Sequence, residues 1–122
     1  MHLIDMVFGY HQVEVAPGDR DKTAFMTPFG LYRYCRMPFG LAGAAGTFQS
    51  VVEDMLQVLD AEDMLAYLDD VICFHSNFED HLKGIERLPS AVKNSGFKLS
   101  GKKCQFAKRS VKFLGYVIDQ RV

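Results

Sequence analysis

Two adjacent carboxylates, Asp69 and Asp70, interrupt an apolar segment, and their residue type and placement indicate metal chemistry. The other nine residues from Met64 to Phe74 are apolar or aromatic. Ionised carboxylates are costly to bury unless a cation or hydrogen-bond donors compensate them. If the two apolar arms pair as a hairpin, both aspartates lie at its tip and can converge on one Mg²⁺ ion. From the dipeptide alone, an ordinary Asp-rich turn is the alternative.

Basic residues are concentrated in the later part of the chain, although the net charge of the 122 residues is only −1. Residues 1–82 carry four Lys/Arg and thirteen Asp/Glu, whereas residues 83–112 carry nine Lys/Arg and one Asp/Glu. This later segment has the spacing expected of a surface along a phosphate backbone, with a solvated basic face as the alternative. Its basic residues include Lys93, Lys98, Lys102, Lys103, Lys108, Arg109 and Lys112.

Two helices are predicted around the aspartate hairpin. From Thr47 onward, apolar residues recur at helical spacing, which indicates an amphipathic helix of about three turns. A second helix is predicted to start near Asn77, because Ser76 and Glu79 have the spacing of a capping box. Gly96 marks its expected end. The predicted core-facing residues of this second helix are Leu82, Ile85, Leu88 and Val92.

Four further segments are predicted to be strands. Apolar alternation indicates half-buried strands over Gln12–Ala16 and Leu31–Arg36. The segments Cys104–Ala107 and Val111–Ile118 are predicted to form a closing pair. With the aspartate hairpin, these elements predict an α+β fold in which two helices lie on one face of an antiparallel sheet.

Composition predicts one globular domain, or part of one, in a reducing compartment. Three cysteines without C-x-x-C spacing suggest neither a disulfide framework nor a zinc site. No apolar run is long enough to span a bilayer, and the N-terminus lacks the features of a signal peptide. We therefore expect an intracellular protein without a membrane partner. The four histidines lack metal-ligand spacing and receive no catalytic role.

Taken in order, six segments resemble the palm of a reverse transcriptase, most closely that of gypsy-type long-terminal-repeat retrotransposons. The resemblance covers nearly the whole chain, and its most specific element is YLDD at Tyr67–Asp70. The other segments are DMVFGYHQVEVAPGDRDKTAFMTPFGLYRY, MPFGL, TFQ, KCQF and FLGY. The resemblance implies a polymerase palm subdomain within the α+β class.

The resemblance also implies a two-metal mechanism of nucleotidyl transfer. One ion lowers the pKa of the primer 3′-hydroxyl, and the second stabilises the leaving pyrophosphate. Asp5, ahead of the G-Y-H-Q run, matches the first metal-binding carboxylate of the family, and Asp69 and Asp70 match those of the hairpin. We expect Asp5 and Asp69 to bridge two Mg²⁺ ions, for which Mn²⁺ can substitute, and Asp70 to be the weaker ligand. Without the resemblance, Asp5 reads as a capping or surface residue.

Further residues match the family's substrate-contacting positions. Tyr10 matches the aromatic that lies under the incoming sugar and excludes a ribose 2′-hydroxyl, whereas a lone tyrosine more often packs in a core. Phe39 and Gly40 match the loop beneath the nascent base pair, and Gln49 matches a template contact on the following helix.

Two later segments match positions along the primer and the nucleic-acid backbone. FLGY resembles the primer grip, a hairpin that directs the primer 3′ end toward the metal ions. Its residues are Phe113, Leu114, Gly115 and Tyr116. Lys98, Lys102 and Lys103 fall between hairpin and grip, where the family implies phosphate neighbours.

The sequence departs from the family pattern in several places. Residues 43–46 read GAAG where the family usually has N-A-P-A, and Phe8 and His75 stand where serine is common. Pro89 lies inside the predicted second helix. These departures are typical of a drifting copy, although the three carboxylates remain.

The resemblance predicts that residues 1–122 are a partial reverse transcriptase domain, namely the palm without the N-terminal part of the fingers, the thumb or RNase H. As an isolated fragment of RNA-directed DNA polymerase it should have little or no activity. Its implied partners are an RNA or DNA template with primer, a dNTP and other segments of the Pol polyprotein. The alternatives are a decayed or co-opted non-catalytic remnant that binds nucleic acid or protein, and a metal-dependent nuclease, for which no water-activating base is found.

Overall fold

The computed structural model describes residues 1–59 and 62–119. Two helices and seven short strands make up these residues, with two 3₁₀ segments at Gly9–Gln12 and Pro17–Thr23. The helices are α1 (Ala44–Gln57) and α2 (Phe78–Asn94). The strands are β1 (His2–Asp5), β2 (Phe25–Thr27), β3 (Gly30–Tyr32), β4 (Met64–Tyr67), β5 (Asp70–Cys73), β6 (Ser110–Phe113) and β7 (Tyr116–Asp119).

The central sheet is antiparallel, with β5 between β1 and β4. β4 and β5 form the predicted hairpin, and its turn consists of Leu68 and Asp69. Leu68 has a φ of 50°, the left-handed conformation that such tight hairpin turns require. The register pairs Asp5 with Asp70, so the end of β1 lies beside the hairpin tip.

The two faces of this sheet are covered by different elements, which explains why β5 is apolar on both sides. Val71 and Cys73 belong to the same core cluster as the buried residues of α1 and α2. Ile72 points to the other face and packs with Val111 and Phe113 of β6. Both helices therefore lie on one face, which confirms the predicted α+β arrangement. The buried residues of the helices include Phe48, Val52, Met55, Leu88 and Val92, and each fully buried apolar side chain contributes about 1.5–3 kcal/mol.

Three strand predictions were wrong in extent. Residues 12–16 make a single bridge, between Glu14 and Arg36, because the chain turns into a 3₁₀ segment at Pro17. Within Leu31–Arg36, only the first two residues belong to a strand, and that strand is exposed. Cys104–Ala107 is not a strand but contributes a single bridge from Gln105.

Val111–Ile118 was predicted as one strand, but it contains a hairpin turn. Leu114 and Gly115 have φ values of 52° and 81° and connect β6 to β7. Positive φ at both central residues is the signature of a tight type I′ turn. The resulting hairpin has its own two-stranded sheet rather than a place in the central one.

Both predicted helices are present, and the predicted start of the second helix near Asn77 is confirmed. α1 begins three residues before Thr47, and its N-cap residue Gly43 makes no side-chain capping bond. At α2, the N-cap is Asn77 rather than Ser76, and its side chain accepts a 2.8 Å hydrogen bond from the Asp80 amide. Pro89 lies inside α2 without ending it. Within the described ranges, neither helix is long and apolar enough to cross a membrane.

The predicted core face of α2 was wrong at Leu82, whose exposed fraction is 48%. His81 and Gly84 are buried instead. Gly84 faces the His75 ring, where a Cβ would lie 2.4 Å from Cε1. The buried face of α2 therefore includes His81 and Gly84, where the apolar periodicity predicted Leu82.

Gly46 offers a test of the α1 start. It is exposed within the helix, and a Cβ added there would meet no atom within 4 Å. Glycine loses more backbone entropy than alanine when it becomes helical. We expect Gly46→Ala to raise the free energy of unfolding by about 0.5–1 kcal/mol, measured by urea denaturation. A destabilised variant would contradict a helix at this position.

A buried histidine cluster makes the stability of the fold sensitive to acid. The His2 and His81 rings stack with centroids 3.6 Å apart, and His81 Nδ1 lies 3.3 Å from His75 Nδ1. Burial lowers the pKa of His2 to about 4, although the hydrogen bond to the His81 carbonyl acts in the opposite direction and raises this pKa. The pKa of His81 is also lowered, chiefly by burial. On the other side of His75, a carboxylate oxygen of Asp63 contacts Nε2.

We expect the free energy of unfolding to decrease as pH falls below about 6.5. The unfolded chain binds a proton at His2 in that range, whereas the folded chain binds it only near the lowered pKa. Urea denaturation at about pH 7 and about pH 5 should show this slope. His2→Asn should reduce the slope, while His11→Asn, outside the cluster, should leave it unchanged. Equal slopes in all three proteins would contradict the assignment.

Candidate active site

Three carboxylates from two segments meet at one end of the central sheet. Asp5 ends β1, Asp70 begins β5, and Asp69 lies in the turn between β4 and β5. Asp5 and Asp70 are direct partners in the antiparallel register, in which opposite Cα atoms lie about 4.5–5.5 Å apart. The Met6 amide also donates a 2.9 Å hydrogen bond to the Asp69 carbonyl. The fold thus brings together carboxylates that are 64 and 65 residues apart in sequence.

The carboxylates are short of compensating donors. Oδ1 of Asp5 and Oδ1 of Asp69 are buried without a hydrogen-bond partner among the described residues. Burial, followed by the charge of Asp5, raises the pKa of both Asp69 and Asp70. Clustered carboxylates with raised pKa values and orphaned oxygens fit a divalent cation, since hard cations prefer oxygen ligands.

No three acidic, histidine or cysteine side chains within residues 1–59 and 62–119 are arranged as a ready-made metal site. Like charges repel one another, and a bound cation removes that repulsion. We therefore expect the aspartates to move closer together when an ion binds.

Gly9 makes room for the Asp69 carboxylate and is a site residue that sequence reasoning missed. A Cβ on Gly9 would lie 1.9 Å from Oδ1 of Asp69 and 2.6 Å from Cζ of Phe48. The preceding residue, Phe8, has a φ of 47° and is exposed. The sequence did contain a signal for Gly9, namely an unexplained glycine in the G-Y-H-Q run that closely follows the candidate ligand Asp5.

Gln49 holds the aspartate hairpin against α1. Its Oε1 accepts a 2.7 Å hydrogen bond from the Leu68 amide, and its Nε2 donates a 3.0 Å bond to the Ala66 carbonyl. Nε2 also donates to Glu53 at 2.8 Å. The amide thus positions the turn that carries Asp69, and its expected template contact stays a prediction.

Aromatic side chains form a wall beside the carboxylates. The Tyr10 ring lies 5.2 Å from Phe39 and 5.3 Å from Phe48, measured between centroids. Phe39 is 65% exposed, and Gly40 is exposed with a φ of 89°. Phe48 contacts both this wall and the Gly9–Asp69 region. Tyr10 and Phe39, the predicted sugar-contacting and base-pair-contacting residues, are therefore neighbours, and Phe48 connects them to Gly9 beside Asp69.

The segment with the predicted phosphate neighbours lies along the free edge of β1. The Ser100 amide donates a 2.8 Å hydrogen bond to the Asp5 carbonyl. Gln12, which sequence reasoning missed as a positioning residue, accepts from the Lys98 amide at 2.6 Å and donates to its carbonyl at 3.0 Å. Lys98, Lys102 and Lys103 are all exposed, and the Lys103 ammonium also lies 3.4 Å from Oδ1 of Asp5.

The FLGY residues form the tip of the β6–β7 hairpin. Phe113 is buried against the sheet face opposite the helices. Leu114 and Gly115 form the turn, and Tyr116 is 76% exposed. This geometry anchors the hairpin through one aromatic residue and leaves its tip accessible.

A carboxylate-tipped hairpin paired with a carboxylate-ending strand and backed by two helices defines an α+β polymerase palm subdomain. The chain belongs to the reverse transcriptase (RNA-dependent DNA polymerase) family, whose sequence profile matches residues 1–118. This confirms the resemblance inferred from the motifs.

Curated relatives are retrotransposon polyproteins. The chain is 36% identical over 117 residues to the retrovirus-related Pol polyprotein from transposon gypsy of Drosophila melanogaster, covering 96% of the chain and 11% of that protein. It is 39% identical over 115 residues to the Pol polyprotein from transposon 297 of the same species, covering 94% and 11%. The chain therefore spans about a tenth of the length of these relatives.

Solved structures share the fold. A foamy viral protease-reverse transcriptase in complex with RNA/DNA hybrid matches with a TM-score of 0.90 and 25% identity, covering 98% of this chain and 16% of that one. A form of the foamy viral enzyme in complex with double-stranded DNA matches with a TM-score of 0.89 and 25% identity, covering 98% and 21%.

Proposed function

We propose that this chain is the palm segment of an RNA-directed DNA polymerase and supplies the carboxylates for template-directed nucleotidyl transfer. The observation that carries the proposal is the convergence of Asp5, Asp69 and Asp70, with two orphaned buried oxygens among them. Membership of the reverse transcriptase family supports the reaction class.

Asp5 and Asp69 would hold two Mg²⁺ ions, which Mn²⁺ can replace, and Asp70 would add supporting negative charge. When bound, such ions activate the primer 3′-hydroxyl and stabilise the charge on the leaving pyrophosphate. The protein's own contribution is to hold the carboxylates in place. Gly9 admits the Asp69 side chain, and Gln49 fixes the turn that carries it.

The substrates we propose are an RNA or DNA template with its primer and a dNTP. Tyr10 and Phe39 would contact the nucleotide, because their rings are neighbours and Tyr10 packs on Phe48, which borders Gly9 next to Asp69. The exposed Lys98 and Lys102, together with Lys103, would approach phosphates. The hairpin tip at residues 113–116 would direct the primer end. We propose other Pol segments as protein partners, and the cytoplasm, a virus-like particle or the nucleus as the location.

Primer extension tests this function. The chain, and a version extended at both ends with the flanking polyprotein sequence, would be given an RNA template, a DNA primer, dNTPs and Mg²⁺ or Mn²⁺. We expect extension by the longer protein and little or none by the 122-residue chain, because catalysis requires the substrates to be held near attack geometry.

A non-catalytic remnant is the second candidate. The observation that favours it is the start of α1, where Gly43 caps without a side-chain hydrogen bond and the GAAG sequence includes two glycines. Failure of the longer protein to extend a primer, with intact binding of nucleic acid and intact carboxylates, would establish this reading and overturn the catalytic one.

A further inference from the structure

The backbone fixes Lys103 beside the carboxylate cluster. The segment from Leu99 to Gln105 follows the edge of β1, and single bridges hold it at both ends. Between the bridges, the amides of Lys103 and Cys104 each donate a 3.0 Å hydrogen bond to the Ser100 carbonyl, which closes one helical turn. The bridging pairs are Met6 with Leu99 and Leu3 with Gln105.

The Lys103 ammonium is the cation that faces Asp5. Its Nζ lies 3.4 Å from Oδ1, which is also one of the buried oxygens without a hydrogen bond. The two groups therefore attract each other as charges without forming a hydrogen bond.

The pair is also loose enough to separate. The Lys103 side chain is 70% exposed, so its ammonium can return to water at little cost. Asp5, with a side chain only 18% exposed, stays in the cluster. A divalent ion carries twice the charge and can take several carboxylate oxygens at once, which a lysine at this distance does not.

We propose that Lys103 is a built-in counter-ion of the metal-free site, which a divalent cation must displace from Asp5 in order to bind. This inference rests on the proposed function, because it takes the three carboxylates to be the metal site. Lys103 thus compensates the negative charge of Asp5 before the metal arrives. It also sets a lower metal affinity than the carboxylates alone would have.

Mn²⁺ binding to the 122-residue chain tests the proposal without reference to activity. Electron paramagnetic resonance would measure free Mn²⁺ during titration of the wild type, Lys103→Met and Lys102→Met. The two variants lose the same charge from neighbouring residues, and Lys102 is exposed. We expect Lys103→Met to bind Mn²⁺ about three- to fivefold more tightly, and Lys102→Met to stay within about twofold of the wild type.

Thermal unfolding supplies a second readout. Without metal, Lys103→Met should unfold at a lower temperature than Lys102→Met, because its carboxylates have lost their counter-ion. Saturating Mn²⁺ should remove that difference. If Lys103→Met does not fold, Lys103→Gln takes its place. Lys103→Arg keeps the positive charge and is expected to keep the wild-type Mn²⁺ affinity.

The outcomes separate this proposal from the function on which it rests. Equal Mn²⁺ affinities in the Lys103 and Lys102 variants, with binding still lost in Asp69→Asn, would overturn the role of Lys103 alone. Absence of Mn²⁺ uptake by every protein in the series would overturn the metal site itself, and the proposed function with it.

Discussion

Replacing Asp69 by asparagine should abolish metal-dependent primer extension and, at the same time, stabilise the metal-free protein. Asp69 carries one of the orphaned buried oxygens, and burial raises its pKa above the usual value. A raised carboxyl pKa means that the folded state disfavours the ionised form, so this cost is present at neutral pH and disappears as pH falls through the raised pKa. Asparagine has a similar shape and no charge.

We expect Asp69→Asn to reduce extension by the longer protein at least about 1,000-fold, since metal-bound charge stabilisation supplies several kcal/mol. We expect the free energy of unfolding of the metal-free chain to increase by about 1 kcal/mol. Primer-extension rates and urea denaturation at neutral pH measure the two effects. Asp54→Asn, on the exposed side of α1, is the matched control and should change neither. A variant that is less stable and still active would contradict the assignment.

Replacing Gly9 by alanine should damage both the fold and the metal site. The new methyl group would lie 1.9 Å from Oδ1 of Asp69, and the Phe48 ring blocks the other direction at 2.6 Å. Either the carboxylate or the chain after β1 must therefore move. We expect a loss of about 1–3 kcal/mol in the free energy of unfolding and a loss of about tenfold in Mn²⁺ affinity.

Gly18→Ala is the control for this substitution, because a Cβ at Gly18 would meet no atom within 4 Å. Denaturation and Mn²⁺ titration of the two alanine variants give the comparison. If Gly9→Ala matched Gly18→Ala in stability and in Mn²⁺ affinity, the close approach of Gly9 and Asp69 would have no role in the site.

The local elements could be predicted because their signals lie within a few residues. The apolar arms around Asp69 predicted the β4–β5 hairpin, and the periodicity after Thr47 predicted α1. Asp5 was placed at the site through the family resemblance, since neither its neighbours nor its spacing from Asp69 indicates a shared position. The register of β1 with β5 places Asp5 beside Asp70, and its role as a metal ligand stays a prediction.

The contacts that hold the site join residues distant in sequence, and local patterns carry no signal for them. Gln12 binds the backbone of Lys98 across 86 residues, and Gln49 binds Leu68 across 19. The errors have a related cause. Residues 104–107 alternate like a strand but pair at one position only. Leu82 fits the helical spacing of core residues, but the neighbouring His81 is buried instead. In both cases tertiary packing decides between locally equivalent choices.

A crystal structure of the chain soaked in Mn²⁺, with anomalous data collected at the manganese edge, would show directly whether Asp5 and Asp69 bind a divalent ion. We expect an anomalous peak between the carboxylates of Asp5 and Asp69, with oxygens from both within about 2.0–2.4 Å of the ion. A fully occupied Mn²⁺ elsewhere on the chain, with the Asp5 and Asp69 carboxylates left apart and no ion between them, would contradict this expectation.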